Sequence, residues 1–350
     1  MRHRWGMTPA IFGLSGPALT ADERAFFREA DPAGYILFGR NVVDRAQVRA
    51  LTDDLRAIHG RDRLLISIDQ EGGRVARMKP PVWAGYPAGA PFGRLWEVAP
   101  ASAIVAARAN AEALGIDLAE VGITVDCWPS ADVRVPGAHD VIGDRAFGEE
   151  PGRVAALARA VLEGLRAAGV AGCVKHMPGH GRAGADSHKE LPVVAASAGE
   201  LAADLAAFRG VCGAVEGRGR ALIGMTAHVL YPVWDSEHPA TLSARIIRDV
   251  IRGEIGFGGL LLSDDLDMQA LRGTIPERAA AAVAAGCDLA LNCWGRMDDM
   301  VGIAEALPAI SDAGATRLDA ALAGTGGVVA DRARWEELVA TRDALLALAA

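Results

Sequence analysis

Short apolar runs alternate with longer segments of helical periodicity along this 350-residue chain, and few folds satisfy such an alternation. The apolar runs lie at 10–14, 34–38, 64–69, 122–127, 170–176, 221–228, 258–264 and 288–293. Between them, segments at 46–58, 102–118, 151–168, 199–211, 243–255 and 275–285 carry apolar residues at i, i+3, i+4 and i+7. Strands that are apolar on both faces and joined through helices imply parallel neighbours and right-handed crossovers. An open doubly wound sheet and a closed (β/α)8 barrel both suit this pattern. The number of runs favours the α/β class in its closed form, a single (β/α)8 TIM-type barrel. Polar residues point the same way, because Asp69, His176, His228 and Asp264 each stand at the end of a different run. In a barrel those ends converge on one mouth, whereas in an open sheet they spread along an edge. With no internal repeat, low-complexity block or linker, the chain reads as one domain over 1–350, closed by a surface helix at about 331–350.

Hydrophobic residues make up 51% of the chain and charged residues 23%, enough for a large core and too apolar for disorder. The net charge of −8 supplies no basic footprint, so neither nucleic acid nor an anionic membrane is expected as a partner. No stretch is apolar for long enough to span a bilayer. Arg2, His3 and Arg4 ahead of the moderately apolar run 5–19 faintly mimic a signal peptide. Thr8, Pro9, Gly13, Ser15, Gly16 and Pro17 interrupt that run, and it reads as a first strand and its loop. Five scattered cysteines, odd in number and without a CxxC pair, fit a reducing compartment.

Three clusters could carry chemistry. The densest is Lys175-His176-Met177-Pro178-Gly179-His180-Gly181, followed by Asp186-Ser187-His188. Only three of the 36 Lys+Arg cations are lysine, so Lys175 at a strand end suggests a need for a compact ammonium there, against the plainer reading of a solvated or capping lysine. His176, His180 and His188 are conceivable metal ligands, but Pro178, Gly179 and Gly181 break any helix that would align the first two, and no metal is expected. Asp186 and His188, two apart in an extended loop, can meet; a carboxylate fixes an imidazole's tautomer and favours its protonated form. The second cluster is Ser263-Asp264-Asp265-Leu266-Asp267-Met268, where Asp265 and Asp267 are expected to cap the next helix. The third is Asp69-Gln70-Glu71-Gly72-Gly73-Arg74, with Arg77 a few residues on. Its two glycines allow a sharp turn beneath a ligand, and Asp69 with Arg77 could bind sugar hydroxyls. No phosphate-loop pattern is present, and no cofactor is expected.

The motifs IDQEGGRVARM, GDRAFG, KHMPGHG followed by DSHKELP, MTAHVLYP, PATLS and GLLLSDDLDM appear in one order from Ile68 to Met268. In order and spacing the chain resembles glycoside hydrolase family 3, most closely its bacterial β-N-acetylhexosaminidase branch of peptidoglycan recycling. The resemblance runs from about Gly13 to Asn292, and it implies a cytoplasmic catalytic barrel. It assigns Asp264 as nucleophile and Asp186 with His188 as the acid/base dyad. Asp69, Arg77, Arg145, Lys175 and His176 become the sugar-binding positions. Met177 stands where phenylalanine is common, a change conservative in volume. The chain also resembles the short members that lack an extra C-terminal domain, so the loop with Asp186 and His188 must reach over the mouth by itself.

The implied reaction is retaining hydrolysis of terminal β-linked N-acetylglucosamine from muropeptide-type substrates. Asp264 attacks the anomeric carbon while His188, held by Asp186, protonates the departing oxygen; His188 then deprotonates the water that releases the sugar. Two alternatives remain open. One is a β-N-acetylglucosaminide phosphorylase, because an imidazole repels phosphate less than a carboxylate does. The other is a non-catalytic amino-sugar-binding barrel, against which the presence of all three chemical groups speaks.

Overall fold

The computed structural model describes residues 6–213, 222–326 and 331–349. In it the apolar runs form a closed parallel barrel in sequence order. Its strands are β1 (Thr8–Gly13), β2 (Pro32–Leu37), β3 (Leu65–Ile68), β4 (Val125–Asp126), β5 (Ala171–Met177), β6 (Ile223–Thr226), β7 (Leu260–Asp265) and β8 (Leu289–Asn292). Pairing of Ala10, Ile11 and Phe12 with Ala290, Leu291 and Asn292 closes the ring. The run expected at 122–127 yields only the two residues of β4, because the main-chain N–H groups of Val121, Gly122 and Ile123 bond back to Leu118 and Ala119 at the end of the preceding helix. Residue 221, where the sixth run begins, and residues 2–5 of the signal-like segment lie outside the described residues.

Alternate strand residues separate two cores. Ile11, Ile36, Leu65, Val125, Cys173, Ile223, Leu260, Leu262 and Leu291 fill the barrel, while Phe12, Tyr35, Ile66, Val174 and Leu261 pack outward against the helices. The outer layer comprises α1 (Ala21–Ala30), α2 (Arg45–His59), α3 (Gly89–Val98), α4 (Pro100–Glu120), α5 (Pro151–Ala167), α6 (Ala198–Gly213), α7 (Ile275–Ala285) and α8 (Met297–Ala306). The helix expected at 243–255 is wound as a π-helix over Ile246–Glu254, burying Ile246, Ile247, Val250 and Ile251. Helix α9 (Asp312–Leu322) contributes Leu318, Ala321 and Leu322 to the core inside the barrel.

Helices α1, α3, α8 and α9 have no counterpart in the periodicity of the sequence. Helix α1 shows why: it is short, and a Thr20–Glu23 capping box fixes its start before Phe26, Phe27 and Ala30 bury one face. The tail forms α10 (Arg332–Leu346) with a 3₁₀ turn through Ala349, and residue 350 lies outside the described residues. Arg332 pairs with Asp117 of α4, and Trp335 Nε1 donates to Tyr86 Oη at 3.0 Å, so the tail is docked. Among the described residues no helix is long and apolar enough to cross a membrane.

Candidate active site

Alternation along the strands decides which side chains reach the barrel mouth. Leu65, Leu260 and Cys173 face the interior, so Asp69, Asp264 and Lys175, at even spacing from them, do so as well. Beyond the strand ends, the long segments 69–88, 127–150, 178–197, 227–245 and 266–274 surround the mouth. Gly72 takes a positive φ of 96° beneath that mouth, and a Cβ there would lie 2.2 Å from the Pro87 carbonyl oxygen. This is the sharp turn that the paired glycines suggested.

The floor is a buried ion network. Lys175 Nζ donates to Asp69 Oδ1 at 3.0 Å and lies 2.7 Å from Glu71 Oε1. Arg145 grips Glu71 with two bonds, Nε to Oε2 at 2.8 Å and Nη2 to Oε1 at 2.6 Å. Arg77 Nη2 reaches Asp69 Oδ2 at 3.2 Å. Burial opposes ionisation of Asp69 and Glu71, but Lys175 and Arg77 around the first, and Arg145 and Lys175 around the second, outweigh it and hold both carboxyls below their usual range. Burial likewise works against the Lys175 ammonium, and the two carboxylates keep it charged. Beside this network His176 Nδ1–H donates to Asp132 Oδ2 at 2.7 Å. Asp132, fully buried, is held well below the usual carboxylate range because His176 and His180 overcome its desolvation.

On the β7 side two adjacent carboxyls behave oppositely. Asp264 is shifted down: burial is outweighed by His228, His176, the Asp265 N–H and Lys175. Asp265 is shifted up by burial and by the charge of Asp267. Asp264 is therefore the ionised carboxylate of the pair and the better nucleophile. Neither Asp265 nor Asp267 caps a helix, which corrects the expectation from sequence. The segment 266–274 intervenes before α7, which is capped by Thr274 and Glu277. Asp265 Oδ1 instead accepts the Asp267 and Cys293 N–H groups, and Asp267 binds Asn292 and Arg296.

The 186–188 loop contributes the last pair. His188 Nδ1–H donates to Asp186 Oδ1 at 2.8 Å, which leaves Nε2 as the nitrogen not engaged by the carboxylate. The Asp186 carboxyl is shifted down, its modest desolvation being outweighed by the His188 main-chain and ring N–H groups. Asp69, Arg77, Arg145, Lys175, His176, His188 and Asp264 all line one cavity of about 160 Å³ at the mouth. Asp186 lies behind His188, lining an adjoining cleft with His139 and Arg74. The chemistry open to this arrangement is attack by a carboxylate with proton transfer by an imidazole. Asp132, which sequence reasoning did not name, belongs to the same constellation, as do Glu71 and Ser187, which stood in the quoted clusters without a role, and His180, which was weighed there only as a metal ligand. Glu71 had one available signal, since Lys175 and Arg145 together require more negative charge than Asp69 supplies.

The family model for the glycosyl hydrolase family 3 N-terminal domain matches residues 12–322. The chain belongs to glycosyl hydrolase family 3. It is accordingly a glycoside hydrolase. It is 40% identical over 288 residues to the β-hexosaminidase of Bordetella avium, covering 81% of this chain and 80% of that protein. To the β-hexosaminidase of Aromatoleum aromaticum it is 40% identical over 290 residues, covering 81% and 79%. Among solved structures, NagZ from Neisseria gonorrhoeae in complex with N-trifluoroacetyl-D-glucosamine is similar over the whole of both chains, with a TM-score of 0.87 at 32% identity.

Proposed function

We propose that the chain is a retaining exo-β-N-acetylglucosaminidase. It removes terminal β-linked N-acetylglucosamine from muropeptide-type fragments in cytoplasmic peptidoglycan recycling. The observation that carries this reading is that Asp264 and His188 line the same cavity above a buried floor of Asp69, Lys175, Glu71 and Arg145. The carboxylate of Asp264 attacks the anomeric carbon as the bond to the leaving oxygen breaks, and His188 Nε2–H supplies the proton. His188, now neutral, takes a proton from water, whose oxygen displaces Asp264 and frees the sugar with retained configuration. Asp69, Arg77, Arg145, Lys175 and His176 hold hydroxyls and the 2-acetamido group. Because Lys175, Arg145 and His176 are already largely buried and paired, they need no reorganisation when the sugar enters.

The relatives named β-hexosaminidase, and the neighbour holding an N-acylated glucosamine, support the N-acetylhexosaminidase specificity. All five cysteines are free and buried, which supports a reducing compartment. The barrel and its docked α10 act in this reading as one catalytic domain. A panel of nitrophenyl β-glycosides assayed at varied phosphate tests it. The N-acetylglucosaminide should exceed the plain glucoside by about a hundredfold, because polar groups built for the amide are left unpaired without it. Released sugar should not depend on phosphate. Equal rates on both glycosides, or a sugar phosphate as product, would overturn the assignment.

A further inference from the structure

A chain of hydrogen bonds that takes no direct part in bond-making runs from the end of β4 to the acid/base loop. Asp132 Oδ1 accepts from the His180 main-chain N–H at 2.6 Å, while Oδ2 accepts from Ser130 Oγ–H at 2.8 Å and from His176. This carboxylate therefore ties the 178–181 turn to the segment after β4. The turn has no room to shift: a Cβ on Gly181 would lie 1.8 Å from the Val133 carbonyl oxygen. From the turn the His180 ring extends to Ser187, with Nε2 and Oγ 3.2 Å apart and both residues buried. Burial and the neighbouring His176 push His180 down to about 4, so its ring is neutral at neutral pH. Its Nδ1 has no partner among the described residues. A buried orphan lone pair is tolerated better than an orphan N–H, which assigns the proton to Nε2 as donor to Ser187 Oγ.

Ser187 stands directly between Asp186 and His188. The chain leaves the core after Ala183, whose carbonyl accepts the His139 N–H at 2.9 Å. At Gly184 nothing lies within 4 Å of where a Cβ would be. The chain re-enters the core at Ser187, whose carbonyl accepts the Ala270 N–H at 3.3 Å. Its side chain turns inward to His180, and this pair borders the edge of the mouth cavity that His188 also lines, while Asp186 lines the adjoining cleft. We infer that His180 and Ser187 form a latch that holds the Asp186–His188 pair at the height and rotation needed for proton donation. Both are positioning residues: neither gives nor takes the transferred proton. The inference rests on the reading of His188 as the proton donor.

Leaving-group dependence separates this role from a general structural one. Ser187→Ala should lower kcat/KM on methyl β-N-acetylglucosaminide about tenfold, the worth of one buried hydrogen bond made to the competent geometry. On the nitrophenyl glycoside, whose leaving group departs with little protonation, the loss should stay within about twofold. Competitive inhibition by free N-acetylglucosamine should weaken equally for both substrates if at all, since His180 and Ser187 border the cavity but the pairing of Asp69, Lys175, Glu71 and Arg145 is retained. His180→Leu should give the same split, His180→Gln, which keeps an N–H, should restore part of it, and Ser187→Ala combined with His180→Leu should add nothing further. If Ser187→Ala does not fold, the two His180 variants decide alone. Equal losses on both substrates, or no loss on either, overturn the latch. His188→Ala is run beside them: a leaving-group split there without one in the latch variants sinks only the latch. Absence of a split in His188→Ala itself sinks the parent assignment.

Discussion

The floor and the rim of the mouth are built on opposite plans. On the floor Lys175 and Glu71 are 3% and 2% exposed, and each charge is neutralised by largely buried side chains, Lys175 by Asp69 and Glu71, Glu71 by Lys175 and by Arg145 of the 127–150 segment. At the rim the His188 side chain is 65% exposed and Asp186 is 19% exposed, and their loop is tied down by a handful of hydrogen bonds. On the proposed mechanism the difference follows from what each must do. Recognition of a neutral sugar depends on donors and acceptors whose positions are settled before binding, and a desolvated ion network gives that rigidity. A group that protonates one oxygen and then deprotonates a water has to exchange protons with solvent and admit the second reactant. Buried as deeply as Glu71, it could do neither.

The largest expected effect lies where the two plans meet, at Asp264. Asp264→Asn keeps the shape of the side chain and removes its nucleophilicity, so turnover should fall at least about a thousandfold while N-acetylglucosamine still binds. Asp265→Asn should fall far less, because Asp265 is spent on the Asp267 and Cys293 N–H groups. If the two variants exchange behaviour, the nucleophile has been placed one residue out of register. The downward shift of Asp264 also sets a sign for pH: activity is lost as pH falls through its folded value, so the acidic limb of kcat/KM should lie below 3.8. A limb well above that value would mean that the neighbouring cations do not hold Asp264 ionised.

Next comes the floor. Lys175→Met removes the ammonium shared by Asp69 and Glu71 and leaves buried carboxylates short of a partner, which should cost about 3–5 kcal/mol of stability. His188→Ala at the rim should stay within about 0.5 kcal/mol of the unmodified protein, since most of that side chain already faces solvent. Urea unfolding of the two variants side by side checks the contrast. Similar losses would show that the floor is less tightly coupled than its distances suggest.

Much of this contrast was legible in the residues themselves. Eight apolar runs led to the barrel, and polar residues at their ends located the mouth. Which carboxyl of the adjacent pair serves as nucleophile came from the family resemblance rather than from alternation, since β7 is irregular after Leu262 and both Asp264 and Asp265 line the mouth. The ion network was half legible: Asp69 with Arg77 is a local pair, but Lys175 reaches Asp69 across 106 residues, a distance no local pattern reports. Asp132 was hidden for the same reason, 44 residues from the imidazole it holds and beyond the end of a strand only two residues long. The capping expected of Asp265 and Asp267 failed because local preference has no knowledge of the loop placed before α7. The π-helix escaped notice because i, i+4 and i+5 contacts draw on the same apolar residues as an ordinary turn.

A smaller effect sits at the end of β4. Asp126 on β4 accepts the Gln70 N–H through Oδ1, while its Oδ2 has no partner among the described residues. Burial, helped by Asp69 and Glu71 and opposed by the Gln70 N–H and Lys175, pushes it from 3.8 up to about 8. Between those values the folded chain keeps a proton that the unfolded chain releases, so its contribution to stability is present below 3.8 and is lost as pH rises toward about 8. Asp126→Asn cannot ionise and removes that slope. The stability of the variant relative to the parent should therefore rise by about 1 kcal/mol per pH unit between about pH 5 and 7. A constant offset across that window would show that Asp126 is ionised in the folded chain.

The smallest expected change is in the response to chelation, and it bears on whether floor and rim are joined by a shared ion. The imidazoles and carboxylates that could hold a metal are engaged within the chain. His176 Nδ1 is bonded to Asp132, His180 Nε2 to Ser187 and His188 Nδ1 to Asp186, and Asp264 Oδ1 accepts the Asp265 N–H. An ion bridging His176 and His188 would have to bind through the remaining ring nitrogens and draw the exposed loop down onto the buried floor. It would also compete for the His188 nitrogen that the proposed mechanism uses for its proton. Exhaustive chelation should accordingly leave the rate on the N-acetylglucosaminide within about twofold, the ordinary context spread of an indirect effect. Loss on chelation that added zinc or magnesium restores would join the two regions through a metal, and it would transfer the activation of water from His188 to that ion.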